Sequence, residues 1–418
     1  MSKFIVKGGQ KLSGSVNVSG SKNATLPIIS ACLLTSEKCV LSNVPDIADV
    51  HSFIQIIKSI GAEAEFKDGI LSIHAKRISK ERIHDHLARR MRASILLLGS
   101  LVARNKEIEI DFPGGCVLGK RTVYPHIYAL NRLGVNFSDS SNSLKAKVKT
   151  LKGNVIIMPE TSVTATENAI LASVLALGKT EIRLAACEPH VQDLCVFLNK
   201  MGAKIKGIGT HFLEIEGVEE LNGASHSITS DYLEAGTFSI AAVITNSEIV
   251  INNVVEKQLD SFWQKLKEVG ANFEIKNNKV YFYKWKKLNS IEKLQTAVFP
   301  GFATDLQAPF AVLLTQIEGR SMIFETLFEG RLNYLFELEK MGAKINISNP
   351  YVAYIDGPTK LKGCSIASCD IRAGAAMVLA SLIADGVTEI TNINYIDRGY
   401  ERLDEKLNNL GAKIQRVN

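Results

Sequence analysis

The sequence predicts an α/β protein of two domains, each built from three copies of one strand–helix unit. Three observations carry that prediction. A helix end followed by Gly and a small residue recurs around Gly61, Gly134, Gly202, Gly270, Gly342 and Gly411, 68 to 73 residues apart. Between these glycines lie six segments that are apolar on nearly every side, which marks buried core helices rather than surface ones. The chain, 418 residues long with 46% hydrophobic and 22% charged residues, has enough apolar material for more than one core.

Each recurring glycine fits the left-handed position that ends a helix. Each following segment, such as Ala203-Lys204-Ile205-Lys206, alternates as a half-buried strand does. The buried helices are expected over 24–34, 93–103, 168–177, 235–245, 306–314 and 373–384. They open on Lys22-Asn23, Arg92, Thr166-Glu167, Glu234, Asp305 and Arg372. Units of about 70 residues are too long for the thin repeats of a solenoid. Three are therefore expected to pack around a common axis, with helices inside and sheets outside, and six to make two domains.

Parallel buried helices would point their N-termini the same way, each with partial positive charge and unpaired N–H groups. Acids at such starts, Asp305 and Glu234, are explained as caps. Lys22, Arg92 and Arg372 are not, because a cation at a helix N-terminus is unfavourable without an anion. With Arg398 they are expected to line an inter-domain cleft that takes a multiply charged anion. The stretch Pro113-Gly114-Gly115-Cys116-Val117-Leu118-Gly119-Lys120-Arg121 adds a thiol among glycines and cations. It reads as a mobile loop whose Cys116 has its thiolate favoured by Lys120 and Arg121.

Other classes are disfavoured. A formal charge of +6 suits an anionic small molecule, and no basic block interleaved with aromatics points to nucleic acid. The longest apolar stretches, 95–103 and 375–384, are too short for a bilayer, and the N-terminal residues lack an apolar signal core. The expected location is the cytoplasm. Seven cysteines with no Cys-x-x-Cys pair argue against a disulfide framework or a zinc site, and no metal or cofactor is expected. No P-loop spacing occurs. His126, five residues after Arg121, is read equally as a phosphate contact or as a structural histidine.

The unit and its openings at Lys22-Asn23, Arg92, Asp305 and Arg372 resemble the enolpyruvyl transferases. The Cys116 loop, the run 300–305 (Pro-Gly-Phe-Ala-Thr-Asp) and the run 397–401 (Asp-Arg-Gly-Tyr-Glu) are similar to the branch of that family acting on UDP-N-acetylglucosamine. The resemblance runs from about residue 3 to residue 417. It implies an inverse α/β barrel fold, with residues 22–229 as one domain and 1–21 plus 230–418 as the other. It also implies transfer of the enolpyruvyl group of phosphoenolpyruvate to the 3-hydroxyl of UDP-N-acetylglucosamine, the first committed step of peptidoglycan synthesis.

By the same resemblance, Cys116 is the acid that protonates C3 and Asp305 takes the hydroxyl proton, with Lys22 and Arg398 also catalytic. Phosphoenolpyruvate would be held by Lys22, Asn23, Arg92, Arg121, Arg372 and Arg398. The UDP-sugar would meet Asn23, Arg92, Arg121, Ser162, Val163, Thr304, Asp305 and Leu327, with Asp370 and Arg331 orienting the site. The sequence departs from the family pattern at Tyr124, Glu160, His190 and Tyr232, all where the nucleotide is expected. A different nucleotide acceptor therefore stays open beside the UDP-sugar. So does a non-catalytic UDP-sugar sensor, although intact Cys116, Asp305 and Arg398 argue against it.

Overall fold

All six recurring glycines lie at positive φ, between 87° and 105°, where a Cβ is disfavoured. Each follows an outer helix: Ala48–Ser59, Tyr124–Arg132, Pro189–Lys200, Asp260–Glu268, Leu335–Lys340 and Leu403–Asn409. The computed structural model describes residues 2–79, 83, 91–111, 122–139 and 143–417.

The buried helices are Lys22–Cys32, Leu97–Asn105, Val163–Ser173, Tyr232–Ile244, Gln307–Leu314 and Ile371–Ile383. Their starts differ from the sequence expectation where polar residues begin the helix. Val163–Ser173 begins five residues before the apolar run, and Leu97–Asn105 and Gln307–Leu314 are each preceded by a 3₁₀ turn, Arg92–Leu96 and Thr304–Leu306. The apolar pattern marks burial and does not separate a 3₁₀ turn from the α-helix that follows it, so 93–96 and 306 fall in the expected helices but lie in the turns.

Among the described residues the strands form six sheets. The sheet centred on Lys179–Arg183 shows their common plan. Val155–Ile157 precedes the buried helix and Lys179–Arg183 follows it, so the two strands run parallel across a helical crossover. Phe212–Glu216 joins Lys179–Arg183 antiparallel, and Lys204–Lys206 closes the edge. In the sheet of Glu107–Asp111 three strands are described, and Ile83 makes a parallel bridge to Ile110.

Two departures from simple repetition pair strands that are distant in sequence. The strand before the first buried helix, Ser13–Asn17, pairs with Glu248–Asn252, which follows the fourth. Conversely Ser225–Ser227, before the fourth buried helix, pairs with Lys38–Ser42 after the first. In the last sheet the antiparallel partner comes from the other end of the chain, since Lys3–Lys7 sits between Val387–Thr391 and Ile414–Val417.

Of the described residues, 2–19 and 230–417 form one compact unit, and those between 20 and 229 form the other. Each has its own apolar core. In the unit of residues 20–229, Leu97–Asn105 packs against both Lys22–Cys32 and Val163–Ser173. The approach is close at Gly99, where a Cβ would stand 2.5 Å from the Asn168 carbonyl oxygen. In the other unit Tyr232–Ile244, Gln307–Leu314 and Ile371–Ile383 pack on one another. Fully burying one Leu, Ile or Phe is worth roughly 1.5–3 kcal/mol, so helices apolar on all sides are stable only in such a centre. Among the described residues, no helix is long and apolar enough to cross a membrane.

Candidate functional site

In the unit of residues 20–229, Lys22 opens its helix directly after Ser21, whose hydroxyl caps the Ala24 N–H at 3.4 Å. Its ammonium lies 2.6 Å from the Asp49 carboxylate, and both side chains are mostly buried. Asp49 stands in the first turn of Ala48–Ser59, where an acid is favoured. The anion expected from a cation at this helix start is thus met in part by a side chain of the same unit. Asn23, beside Lys22, is half-buried.

Arg92 opens the 3₁₀ turn and donates to the Thr122 carbonyl at 3.4 Å. Ser162 precedes Val163–Ser173 in extended conformation and makes no side-chain capping bond. Behind this helix start lies His126, buried rather than open to a phosphate. The Asn168 side-chain oxygen accepts from the Gly99 N–H at 2.7 Å, so its amide nitrogen donates, to the Ile95 carbonyl at 2.9 Å and to His126 Nδ1 at 2.8 Å. That assigns the His126 proton to Nε2, which faces the Thr164 hydroxyl at 3.2 Å. Burial, with the nearby Arg92 charge, pushes the imidazole down to about 3, so it is neutral at pH 7. The structural reading of His126 is the one this geometry supports.

In the other unit, Asp305 lies in the 3₁₀ turn Thr304–Leu306 and is addressed by two guanidinium groups. Arg331 makes a short ion pair with one oxygen, and Arg372 Nε lies 3.5 Å from the other. Arg372 also reaches within 4.0 Å of Asp231 and stacks 4.9 Å from the centre of the Tyr400 ring. Asp370 caps Ile371–Ile383 by accepting from the Arg372 and Ala373 N–H groups at 2.8 and 2.9 Å. Asp231 caps Tyr232–Ile244 in the same way. Burial alone would pull the Arg331 guanidinium down, but Asp305, Asp370 and Glu325 outweigh it and hold it above its ordinary value. Burial likewise opposes Tyr400, Asp231 and Asp305 at Arg372, and those partners prevail.

The structure therefore brings Asp305, Arg331 and Arg372 together, with Asp370 fixing the turn that carries Arg372. Arg398 follows the short helix Asn394–Asp397 and is half-buried, while its neighbour Asp397 binds Arg416 through both oxygens at 2.8 and 2.9 Å. Leu327 is an exposed apolar side chain. Cys116 and Arg121, with the whole glycine loop, lie outside the described residues. Three acids that sequence reasoning missed hold these side chains, one in the unit of residues 20–229 and two in the other: Asp49 at Lys22, Asp231 at Arg372, and Glu325 behind Thr304. The first two stand at helix starts, a signal that could have found them; Glu325 follows a strand and carries no such mark. Among the described residues, no group of three or more His, Cys, Asp or Glu is placed to hold a metal ion.

Each compact unit is an α/β body of mixed sheets and buried helices, with basic side chains and acids at the helix starts. The family model described as EPSP synthase (3-phosphoshikimate 1-carboxyvinyltransferase) matches residues 6–407, and the chain belongs to that family. It is 42% identical over 419 residues to UDP-N-acetylglucosamine 1-carboxyvinyltransferase 2 of Carboxydothermus hydrogenoformans, covering 100% of both chains. It is 41% identical to the UDP-N-acetylglucosamine 1-carboxyvinyltransferase of Methylacidiphilum infernorum, covering 100% of this chain and 99% of the other. Among solved structures, the enolpyruvyl transferase NikO from Streptomyces tendae superposes with a TM-score of 0.90 at 25% identity, covering 100% of this chain and 99% of that one. EPSP synthase from Acinetobacter baumannii shares the fold, with a TM-score of 0.79 at 19% identity over the full length of both chains.

Proposed function

We propose that this chain transfers the enolpyruvyl group of phosphoenolpyruvate to the 3-hydroxyl of UDP-N-acetylglucosamine, releasing phosphate, in the cytoplasm and at the start of peptidoglycan synthesis. The observation that carries this reading is full-length identity of 41–43% to relatives bearing the name of that activity. The same full-length identity weighs against a different acceptor, despite Tyr124, Glu160, His190 and Tyr232.

The transfer keeps the alkene, so addition must be followed by elimination. In the addition, the sugar oxygen bonds C2 as Asp305 takes its proton, while Cys116 delivers a proton to C3. Loss of a C3 proton and of phosphate from C2 then restores the double bond. Lys22, Asn23, Arg92, Arg121, Arg372 and Arg398 hold the phosphate and carboxylate of phosphoenolpyruvate. Preorganised charge of this kind is commonly worth several kcal/mol of barrier. Ser162, Val163, Thr304 and Leu327 meet the sugar nucleotide, together with Asn23, Arg92, Arg121 and Asp305. Arg331 and Asp370 orient Asp305 and Arg372.

Phosphate release from phosphoenolpyruvate tests the reading. It should require UDP-N-acetylglucosamine and be absent with UDP-glucose or a free nucleotide. Equal release with an unrelated nucleotide would overturn the acceptor assignment.

A further inference from the structure

Glu325 follows the strand Gly319–Phe324 and is completely buried. Its two carboxylate oxygens serve two different segments. One accepts from the Leu327 and Phe328 N–H groups at 2.8 and 3.3 Å. The other accepts from the Thr304 hydroxyl at 2.8 Å. Backbone bonds fix its own position, with the Glu325 N–H donating to the Tyr351 carbonyl at 2.8 Å and the Thr326 N–H to the Thr296 hydroxyl at 2.9 Å. Thr304 itself is only half-buried and immediately precedes Asp305, while Leu327 is exposed. One inner acid thus ties together two surface positions that are candidates for meeting the same ligand.

The consequence is chemical as well as geometric. A hydroxyl has one proton and two lone pairs, whereas a carboxylate only accepts. The Thr304 proton is therefore committed inward, and what the side chain offers outward is a lone pair. We propose that Glu325 is a positioning residue that sets acceptor specificity, holding Thr304 as an obligate hydrogen-bond acceptor towards an N–H or O–H donor of the sugar nucleotide and keeping Leu327 in place beside it. This rests on the reading that Thr304 faces the sugar nucleotide.

Glu325→Gln is the informative substitution because it preserves shape and reverses one polarity. Its amide oxygen can still accept from Leu327 and Phe328, but its NH₂ now donates to Thr304, whose proton turns outward against the ligand donor. Thr304→Val removes the acceptor altogether. Calorimetric Kd values for UDP-N-acetylglucosamine are measured for the full-length wild type, both single variants and the double variant, beside KM for each substrate and kcat from phosphate release. Each single change should weaken nucleotide binding about tenfold, the scale of one hydrogen bond. The KM for phosphoenolpyruvate should stay within about twofold, since no bond to it is altered. The double variant should bind no worse than Thr304→Val, because Glu325 acts through that hydroxyl.

Additive losses in the double variant, an unchanged Kd in Glu325→Gln, or an equal rise in both KM values would each overturn the inference. A merely structural role would lower the melting temperature and the active fraction without producing this coupling. A wild type that binds the nucleotide with the coupling intact but releases no phosphate would sink the transfer reading and support this one. Normal turnover with additive losses would do the reverse, and a wild type that does not bind the nucleotide overturns both.

Discussion

At the residue scale, His126 has a consequence for acid stability. In the folded unit burial holds it near 3, whereas an unfolded histidine titrates near 6.5. As pH falls through about 6.5, the unfolded state takes up the proton first. Its stabilising contribution is therefore complete above that pH and drains away down to about 3, at roughly 1.4 kcal/mol per pH unit. Urea unfolding at pH 7, 6, 5 and 4 should show this slope, and His126→Gln, which can still accept from Asn168 and donate to Thr164, should flatten it. The cysteines give a second residue-scale expectation. Burial pushes Cys187 up to about 11 and Cys195 to about 12, and Cys32 and Cys39 are enclosed in the core. An epoxide phosphonate should therefore label Cys116 first, faster with the sugar nucleotide present. Cys116→Asp should keep turnover yet escape labelling, and Cys116→Ser should lose about 10²–10⁴-fold in rate. Mass spectrometry alongside phosphate release checks this, and equal labelling of all seven cysteines would remove the loop from the mechanism.

At the scale of elements, acids tie the polar groups of one element to those of the next. Asp193, half-buried within Pro189–Lys200, is an instance outside the proposed site. One of its oxygens accepts from His226 Nε2 at 3.0 Å and the other from the Thr229 N–H at 3.0 Å, while Lys200 donates to His226 Nδ1 at 3.0 Å. The Thr229 carbonyl in turn accepts from the N–H of Ser21, the cap of the helix that starts with Lys22. Asp193→Ala would leave the Thr229 N–H and the His226 ring without their acceptor. We expect a loss of about 2–3 kcal/mol, read by chemical denaturation, and faster amide exchange at Ser21 and Thr229. Unchanged exchange at Ser21 would show that the network ends at Thr229. Much at this scale was legible in the sequence: the glycines that end six helices, the six apolar segments and the alternating strands after them each follow from a local rule. The partners of the polar residues were not, because Asp49 lies 27 positions after Lys22 and Asp231 lies 141 before Arg372. The 3₁₀ turns that present Arg92 and Asp305 were also hidden, since nothing in their composition separates them from a first helical turn.

For the whole molecule, the feature least visible in the sequence is how the repeat closes. In the other sheets the two antiparallel strands after the outer helix are neighbours in sequence. Phe273–Lys276 and Lys279–Phe282 are such a pair, joined through Asn277-Asn278, both at positive φ. In the last sheet that hairpin is open, and Lys3–Lys7 takes the partner's place, with Lys3 opposite Val417 and Val6 opposite Ile414. Phe4 and Val6 are fully buried there, so the strand belongs to the core and is not an appended arm. If six equivalent units specify the fold, the position of the opening is arbitrary and can be moved. Linking Val417 to Lys3 through a three-residue turn restores a hairpin in the sixth unit. Opening the chain between Asn277 and Asn278, both exposed, moves the break to the equivalent place in another sheet of the same unit. The rearranged chain should fold cooperatively, unfold within about 2 kcal/mol of the original and keep phosphate release. Deleting residues 2–8 instead removes two buried core side chains and a central strand, and should leave that unit unable to fold. A rearranged chain that is insoluble or lacks a cooperative transition would mean that order along the chain, rather than the repeated unit, determines this architecture.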